Sequence, residues 1–339
     1  MTTTAKTTLW TAVFAAITSA APAPAQEMIR FASGQSNDSI LTQRLYGVWM
    51  EQVNADAAGE IRVQNFPPPF AEGTNMWDRV GLGAADIGVA LLNAGTAPLP
   101  LAGLTSLPSA EINDPQAASI AFQQTYEDGL LDSNLDDVKI LALFTTMPTR
   151  IYGTGPIQGR EDLVGAKIRA ADRNVTAVGE ALGATPLAIP FAEVYQALSK
   201  NVVDTAFANG HSLVIYRQSD FLRHGVENIS FGMTPVALIM NRDRYDSLPE
   251  AARAAIDKHS GQAFSSFAGG VEAELQQEWL TKLISDGALE MNQLAPDELA
   301  AWTEISDAVI AGWRDATEGG GAAYDAFAGH YADAVEAQD

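Results

Sequence analysis

One arginine stands out among the residues able to do chemistry. The run VGAKIRAADR, Val164 to Arg173, alternates as a strand would, and Arg169 falls where that strand gives way to a loop. A guanidinium keeps its charge, and its planar fork matches a carboxylate with two parallel hydrogen bonds. Ala170 and Ala171 leave room around it. From composition alone, Arg169 is better read as the partner of a surface acid, a common and weak arrangement. Elsewhere the chemistry is sparse. His211, His224, His259 and His330 lack metal-ligand spacing, and no pair of carboxylates stands out for acid–base work. There is no HExxH, GxSxG or P-loop, and GLGAAD (Gly81 to Asp86) ends in Asp where a dinucleotide fingerprint needs a small residue. With no cysteine, there is no disulfide, thiolate nucleophile or lipid-modified cysteine anchor. The residues offer no constellation for catalysis, a cofactor or a metal.

Composition narrows the partners. The 42 acids against 20 bases give a net charge of −22, a field that repels nucleic acid and anionic membrane surfaces. At 339 residues the chain exceeds one ordinary core and implies two lobes. Residues 1–25 form a separate signal: Lys6 as the sole charge, an apolar stretch from Leu9 to Ala21, and Ala23-Pro24-Ala25 as a cleavage site. Export with cleavage after Ala25 is expected.

The elements that must hold Arg169 come in two similar sets. MIRFAS (Met28 to Ser33) reads as a strand, then Leu41, Leu45, Val48, Trp49 and Val53 recur at helical spacing. IRVQNF (Ile61 to Phe66) is a strand, stopped by Pro67, Pro68 and Pro69; a short helix from Thr74 to Gly81 and the strand ADIGVALL (Ala85 to Leu92) follow. The order repeats with AKIRAA, a helix from Val175 to Leu182, TPLAIP, a helix from Ala192 to Ser199, and VVDTAFA (Val202 to Ala208). Each half reads β-α-β-α-β, with Gly83 or Asn201 three residues ahead of Asp86 or Asp204. Such units make α/β sheets flanked by helices, with ligands beyond the carboxyl ends of the strands. Two facing lobes then enclose a cleft. Ser247-Leu248-Pro249-Glu250 reads as a capping box. From it a helix could run to about Ser285, long enough to cross both lobes, with Gly261 and Gly269-Gly270 as places where it could break. Pro296 to Trp313 is a further helix, and Gly319-Gly320-Gly321 a joint before the last.

With these motifs in place, the chain resembles the solute-binding proteins of TRAP (tripartite ATP-independent periplasmic) transporters, the DctP family. The likeness rests on Lys167-Ile168-Arg169, Gly183-Ala184-Thr185-Pro186, the run Phe191 to Leu198 (FAEVYQAL) and Val203-Asp204. It implies a two-lobe periplasmic-binding-protein fold of type II-like form, with mixed sheets and a long helix spanning both lobes. Its lobes are expected at residues 26–149 plus about 234–272, and at 150–233 plus about 273–339. It further implies a monomeric receptor that closes on a small organic acid, a mono- or dicarboxylate, and delivers it to the membrane subunits of a TRAP permease. Arg169 matches the arginine that holds the ligand carboxylate, and Phe191 a phenylalanine that packs on the ligand or in the core. Glu193 and Tyr195 match support positions, a carboxylate bonding nearby backbone or arginine and a ring packing the lobe.

Departures from the pattern bear on the ligand. Where the family usually has Asn, four residues after Asp204, stands Ala208, and the asparagine is Asn209. A one-residue shift reverses a side chain's direction on a strand, so either a bulge returns Asn209 to the cleft or Ala208 leaves room for a bulkier guest. The second arginine of many relatives is replaced by Gly155. Arg150, ending the strand ILALFTTMPTR, could substitute from another angle, or serve as a hinge or surface residue. In the first lobe Trp77 is either an aromatic wall of the cleft or filling between helix and sheet, and Asn93 lies just past the last strand. One strong arginine favours a monocarboxylate with an apolar, hydroxylated or aromatic body. A receptor for an ATP-driven importer or sensor, or an enzyme on the same scaffold, are the alternative readings.

Overall fold

A computed structural model describes residues 26–67, 75–93, 98–131, 135–170 and 172–338. The expected export signal at 1–25, with Pro68, Pro69, Thr74 and Ala171, lies outside the described residues.

Two mixed sheets form the scaffold. The first comprises β1 (Glu27–Ala32), β2 (Ile61–Asn65), β3 (Ile87–Leu91), β4 (Val138–Thr145) and β10 (Pro235–Asn241), in the order β2-β1-β3-β10-β4. The second comprises β5 (Arg150–Gly153), β6 (Lys167–Ala170), β7 (Thr185–Ala188), β8 (Thr205–Ala208), β9 (His224–Val226) and β11 (Glu290–Asn292), in the order β11-β9-β5-β8-β6-β7. Each sheet holds the parallel trio read from the sequence; one antiparallel strand, β10 in the first and β5 in the second, joins it to the remaining strands. The internal repeat has a physical role. The Asp86 carboxylate accepts the backbone N–H of Arg30 on β1 at 2.7 Å, and that of Asp204 accepts the N–H of Lys167 on β6 at 3.2 Å. Gly83 and Asn201, both at positive φ, turn the chain to set each acid there.

Helices α1 (Gly47–Asp56), α2 (Met76–Gly81), α3 (Pro115–Glu127), α8 (Glu250–Lys258) and α11 (Gly320–Glu336) clothe the first sheet. Helices α4 (Arg173–Ala181), α5 (Val194–Ser199) and α6 (Gly210–Val214) clothe the second. The last helix belongs with the first lobe and not the second, because Ala323, Phe327, Tyr331 and Ala334 pack into the core around α3. The Tyr331 hydroxyl also accepts the N–H groups of Asn113 and Asp114 at 3.1 Å.

The expected spanning helix is realised as α9 (Gly261–Ser285). It is shorter than the run from Ser247 because the chain breaks twice. Ser247 ends α7 (Arg242–Asp246), its hydroxyl bonding back to the Arg244 carbonyl, so it makes no capping box for α8. Gly261, at φ 58°, separates α8 from α9. Gly269 does not break the helix. A Cβ there would stand 2.5 Å from the Pro115 carbonyl oxygen, so glycine is what lets α9 cross α3 closely. Phe264, Ala268 and Leu275 of α9 pack into the first lobe, and Leu280 and Leu283 against the second. A second strap, α10 (Pro296–Ala316), buries Trp302 in the second lobe and Trp313 in the first.

Two segments connect the lobes. The run ILALFTTMPTR is two strands, not one: β4 stops at Thr145, residues 146–149 cross over, and Arg150 opens β5. Residues 227–234 return from β9 to β10 alongside. The two connections bond to each other: the Thr146 N–H donates to the Thr234 carbonyl at 3.0 Å and the Thr149 N–H to that of Gly232 at 2.8 Å. Gly232 has φ 84°, and a side chain there would overlap the backbone of Ser106.

Candidate functional site

A cavity of about 950 Å³ opens between the lobes at the connecting segments. The first lobe supplies Ser33, Gln35, Leu41, Tyr46, Leu91 and Asn93; the second supplies Arg169, Asp172, Ile189, Phe191, Ala208 and Asn209; α9 supplies Glu272. It lies past the carboxyl ends of β1, β3, β6 and β8, where open α/β sheets bind ligands.

Arg169 is 9% exposed, yet no carboxylate oxygen comes within 4.0 Å of it among the described residues. Among the described residues its one side-chain hydrogen bond is long, from Nε to the Ile189 carbonyl at 3.4 Å. Strand alternation fixes its direction. Arg169 pairs with Ala206 on β8, so it shares a face with Ala206, Ala208 and Arg150. The two alanines are the small residues that leave its fork unobstructed. Burial pulls the guanidinium below its ordinary pKa, and Asp172 opposes that shift. It stays charged nonetheless.

Phe191, on the 3-10 turn Phe191–Glu193, lies with its ring centroid 5.7 Å from the Arg169 guanidinium carbon, a cation–π contact. It is 39% exposed and meets Tyr216 edge-on at 4.4 Å between centroids. Phe191, Ile215 and Tyr216 are exposed large apolar side chains, and all three line the cavity. Exposed apolar surface gathered in a cleft beside a buried cation suits a guest with one charged end and an apolar body.

Asp172 is the acid nearest this cation in sequence, but it is occupied. Its Oδ1 accepts the N–H groups of Asn174 and Val175, at 2.9 and 3.2 Å, capping α4. Burial raises its pKa, while those bonds and Arg169 lower it.

The remaining sequence candidates divide. Asn93 lines the cavity, as do both Ala208 and Asn209. No bulge is involved: β8 pairs with β5 in unbroken register through Arg150↔Ala208. Asn209 follows the strand as the N-cap of α6, its Oδ1 accepting the Ser212 N–H at 3.2 Å. Arg150 is outside the lining, although Thr149 and Ala208 are in it. It is 8% exposed, and its Nε and Nη1 are buried without a hydrogen-bond partner. Trp77 is filling and not a wall: α2 presses Met76, Trp77 and Val80 into the core around Phe122 and Leu143. Glu193 is exposed at the end of its turn, and its side chain makes no hydrogen bond or ion pair among the described residues. The expected support is absent there. Tyr195 does pack the lobe, its hydroxyl donating to Asp220 at 3.0 Å and its ring meeting Phe221.

Sequence reading missed Tyr46, Tyr216, His211 and Glu272. Glu272 looks like any acid on a helix; only the path of α9 over the cavity buries it to 2% exposure. Its Oε2 accepts the Met147 N–H at 3.1 Å and lies 3.1 Å from Nε2 of His211, off the line of a hydrogen bond. Among the described residues, no group of three or more His, Asp or Glu side chains is arranged to hold a metal, and no helix is long and apolar enough to cross a membrane.

Comparison with known proteins agrees with this geometry. The family of bacterial extracellular solute-binding proteins, family 7 (DctP), matches residues 31–315. The outer membrane transporter protein TsaT of Comamonas testosteroni is 29% identical over 235 residues, 66% of this chain and 68% of that protein. The C4-dicarboxylate-binding periplasmic protein DctP of Rhodobacter capsulatus is 29% identical over 151 residues, 44% of this chain and 45% of that one. Among solved structures, a marine metagenome TRAP solute-binding protein specific for aromatic acid ligands superposes with a TM-score of 0.83 at 24% identity, covering 91% of this chain and 99% of that one. The TRAP solute-binding protein of Rhodoferax ferrireducens, with copurified benzoate, gives 0.82 at 20% identity over 92% and 99%. That of Bordetella bronchiseptica, with bound mandelate, gives 0.79 at 22% over 90% and 99%. Two mixed sheets about a cleft, a helix laid across both, and a family match over most of the length lead to one assignment: this chain belongs to the DctP family of bacterial extracellular solute-binding proteins, family 7.

Proposed function

We propose that this protein is a periplasmic receptor that captures a small organic monocarboxylate and hands it to the membrane subunits of a TRAP permease. Arg169 grips the carboxylate through its fork, and Phe191, Ile215 and Tyr216 close on the apolar body. The observation that carries this reading is the buried Arg169 with no acid of its own, facing a cavity edged by exposed aromatic rings. Burying a charge is costly without a partner, and an anionic guest provides one.

The mechanism is closure. The lobes rotate about residues 146–149 and 227–234 while α9 and α10 keep them tethered, and the cavity loses water around the ion pair. The bound aromatic acids of the solved relatives support an apolar, ring-bearing guest. A thermal-shift screen of organic acids tests the reading, since binding to the folded form raises its melting temperature. Monocarboxylates with aromatic or apolar bodies are expected to give the largest shifts. A panel without any stabilising carboxylate contradicts the proposal.

A further inference from the structure

The cavity is polarised. Its cation, Arg169, stands on the second sheet, while Glu272 comes from α9, its Oε2 bonded to Met147 of the first connecting segment. Of the two lining carboxylates among the described residues, Asp172 is engaged by the first turn of α4. Glu272 has no such cradle. It is 2% exposed, no Lys or Arg nitrogen lies within 4.0 Å of it among the described residues, and its one backbone bond ties Oε2 to Met147. Its neighbour His211 is wedged edge-on against Trp279, at 5.5 Å between centroids, with Nε2 lacking an aligned acceptor. Tyr46 also lines the cavity, where burial first and the Glu272 charge second push its phenol pKa up.

We infer that Glu272 is a specificity-determining residue of the binding cavity, rejecting guests with a second carboxylate and favouring those with a neutral hydrogen-bond donor at the far end. The inference rests on the receptor reading above. A dicarboxylate that places one acid on Arg169 would bring its other acid into a cavity that already holds the buried Glu272 carboxylate, which has no Lys or Arg partner among the described residues. In a low-dielectric pocket such juxtaposition is a strong repulsive selector. An amide N–H or a hydroxyl in the same place donates to the carboxylate instead.

Matched probes isolate that charge: isophthalate against 3-carbamoylbenzoate, and succinate against succinamate, by calorimetry on the mature protein. In the wild type the monoamides are expected to bind about tenfold or more tighter than their dicarboxylates, the scale of a like-charge penalty. In Glu272→Gln, which keeps an oxygen for the Met147 N–H, that ratio is expected to fall toward unity. Dicarboxylates binding the wild type as well as the monoamides do, or a ratio unaltered in Glu272→Gln, overturn the inference and leave the receptor reading intact. Failure of all four probes on the wild type also overturns it, while the wider organic-acid screen decides the receptor reading independently. Should Glu272→Gln not fold, the wild-type ratios decide the matter alone.

Discussion

At the scale of single residues, the site is one cation held ready. Arg169 is positioned by strand register, freed by Ala206 and Ala208, and flanked by Phe191. Arg169→Ala is expected to cost about 2–5 kcal/mol of binding to the best ligand from the screen, the range for truncating one partner of a buried charge pair. Arg169→Lys is expected to weaken binding also, because an ammonium cannot present the two parallel donors. Calorimetry reads both, and wild-type affinity in Arg169→Ala rejects the assigned role. Asn209 has a different place. As the N-cap of α6 it is expected to contribute about 1 kcal/mol to folding, so Asn209→Ala should lower the melting temperature of the empty protein, and Asn209→Asp should restore it. Arg169 was legible in the sequence because its strand, its type and the motifs after it agreed. Glu272 and Tyr216 were not, since their meaning comes from which elements pass the cavity, and local pattern carries no trace of that. Trp77 was ambiguous for the same reason: helical spacing shows that a ring is buried but not on which side of the sheet.

At the scale of elements, the paired β-α-β-α-β units were readable because alternation, turn residues and the Asp86 and Asp204 positions repeat. The antiparallel strands were harder. Strands β5, β9 and β10 come from chain that crosses between lobes, and a continuous apolar run such as ILALFTT does not show where the crossing occurs. Helix α9 depends on one close approach. Gly269→Ala forces a Cβ into the Pro115 carbonyl and the Gln116 Cα, 2.5 and 2.6 Å away. It is expected to destabilise the fold by about 1–3 kcal/mol, as overpacking does, which denaturant melts will read. A gain in stability contradicts the crossing as described. Acid sensitivity belongs to this scale as well. Asp56 on α1 bonds Lys258 and His259 at the end of α8, at 2.7 and 2.6 Å, and these partners hold its pKa below 3.8. A depressed carboxylate pKa stabilises the fold above the unfolded value and loses that contribution as pH falls through the folded one. Asp56→Asn should therefore lower stability at neutral pH and narrow its gap to the wild type below about pH 3.8. A gap that is constant with pH argues against the clamp.

At the scale of the whole molecule, two lobes are joined by a bonded pair of connections and tethered by α9 and α10. That construction permits rotation while preventing separation. Small-angle scattering is expected to show a smaller radius of gyration on ligand binding, with no change in Arg169→Ala at the same ligand concentration. The charge of −22 is spread over this surface, so the protein is expected to pass a heparin or DNA column unretained at low salt. The central claim is that Arg169 takes the guest's carboxylate inside the closed cleft. A crystal structure with the best ligand from the screen tests it most directly. The account predicts two near-parallel N–H···O bonds from the Arg169 fork to one carboxylate, with Phe191 and Tyr216 against the body of the guest. Density showing the carboxylate on other residues, with Arg169 turned to solvent or paired to a protein acid, would contradict it.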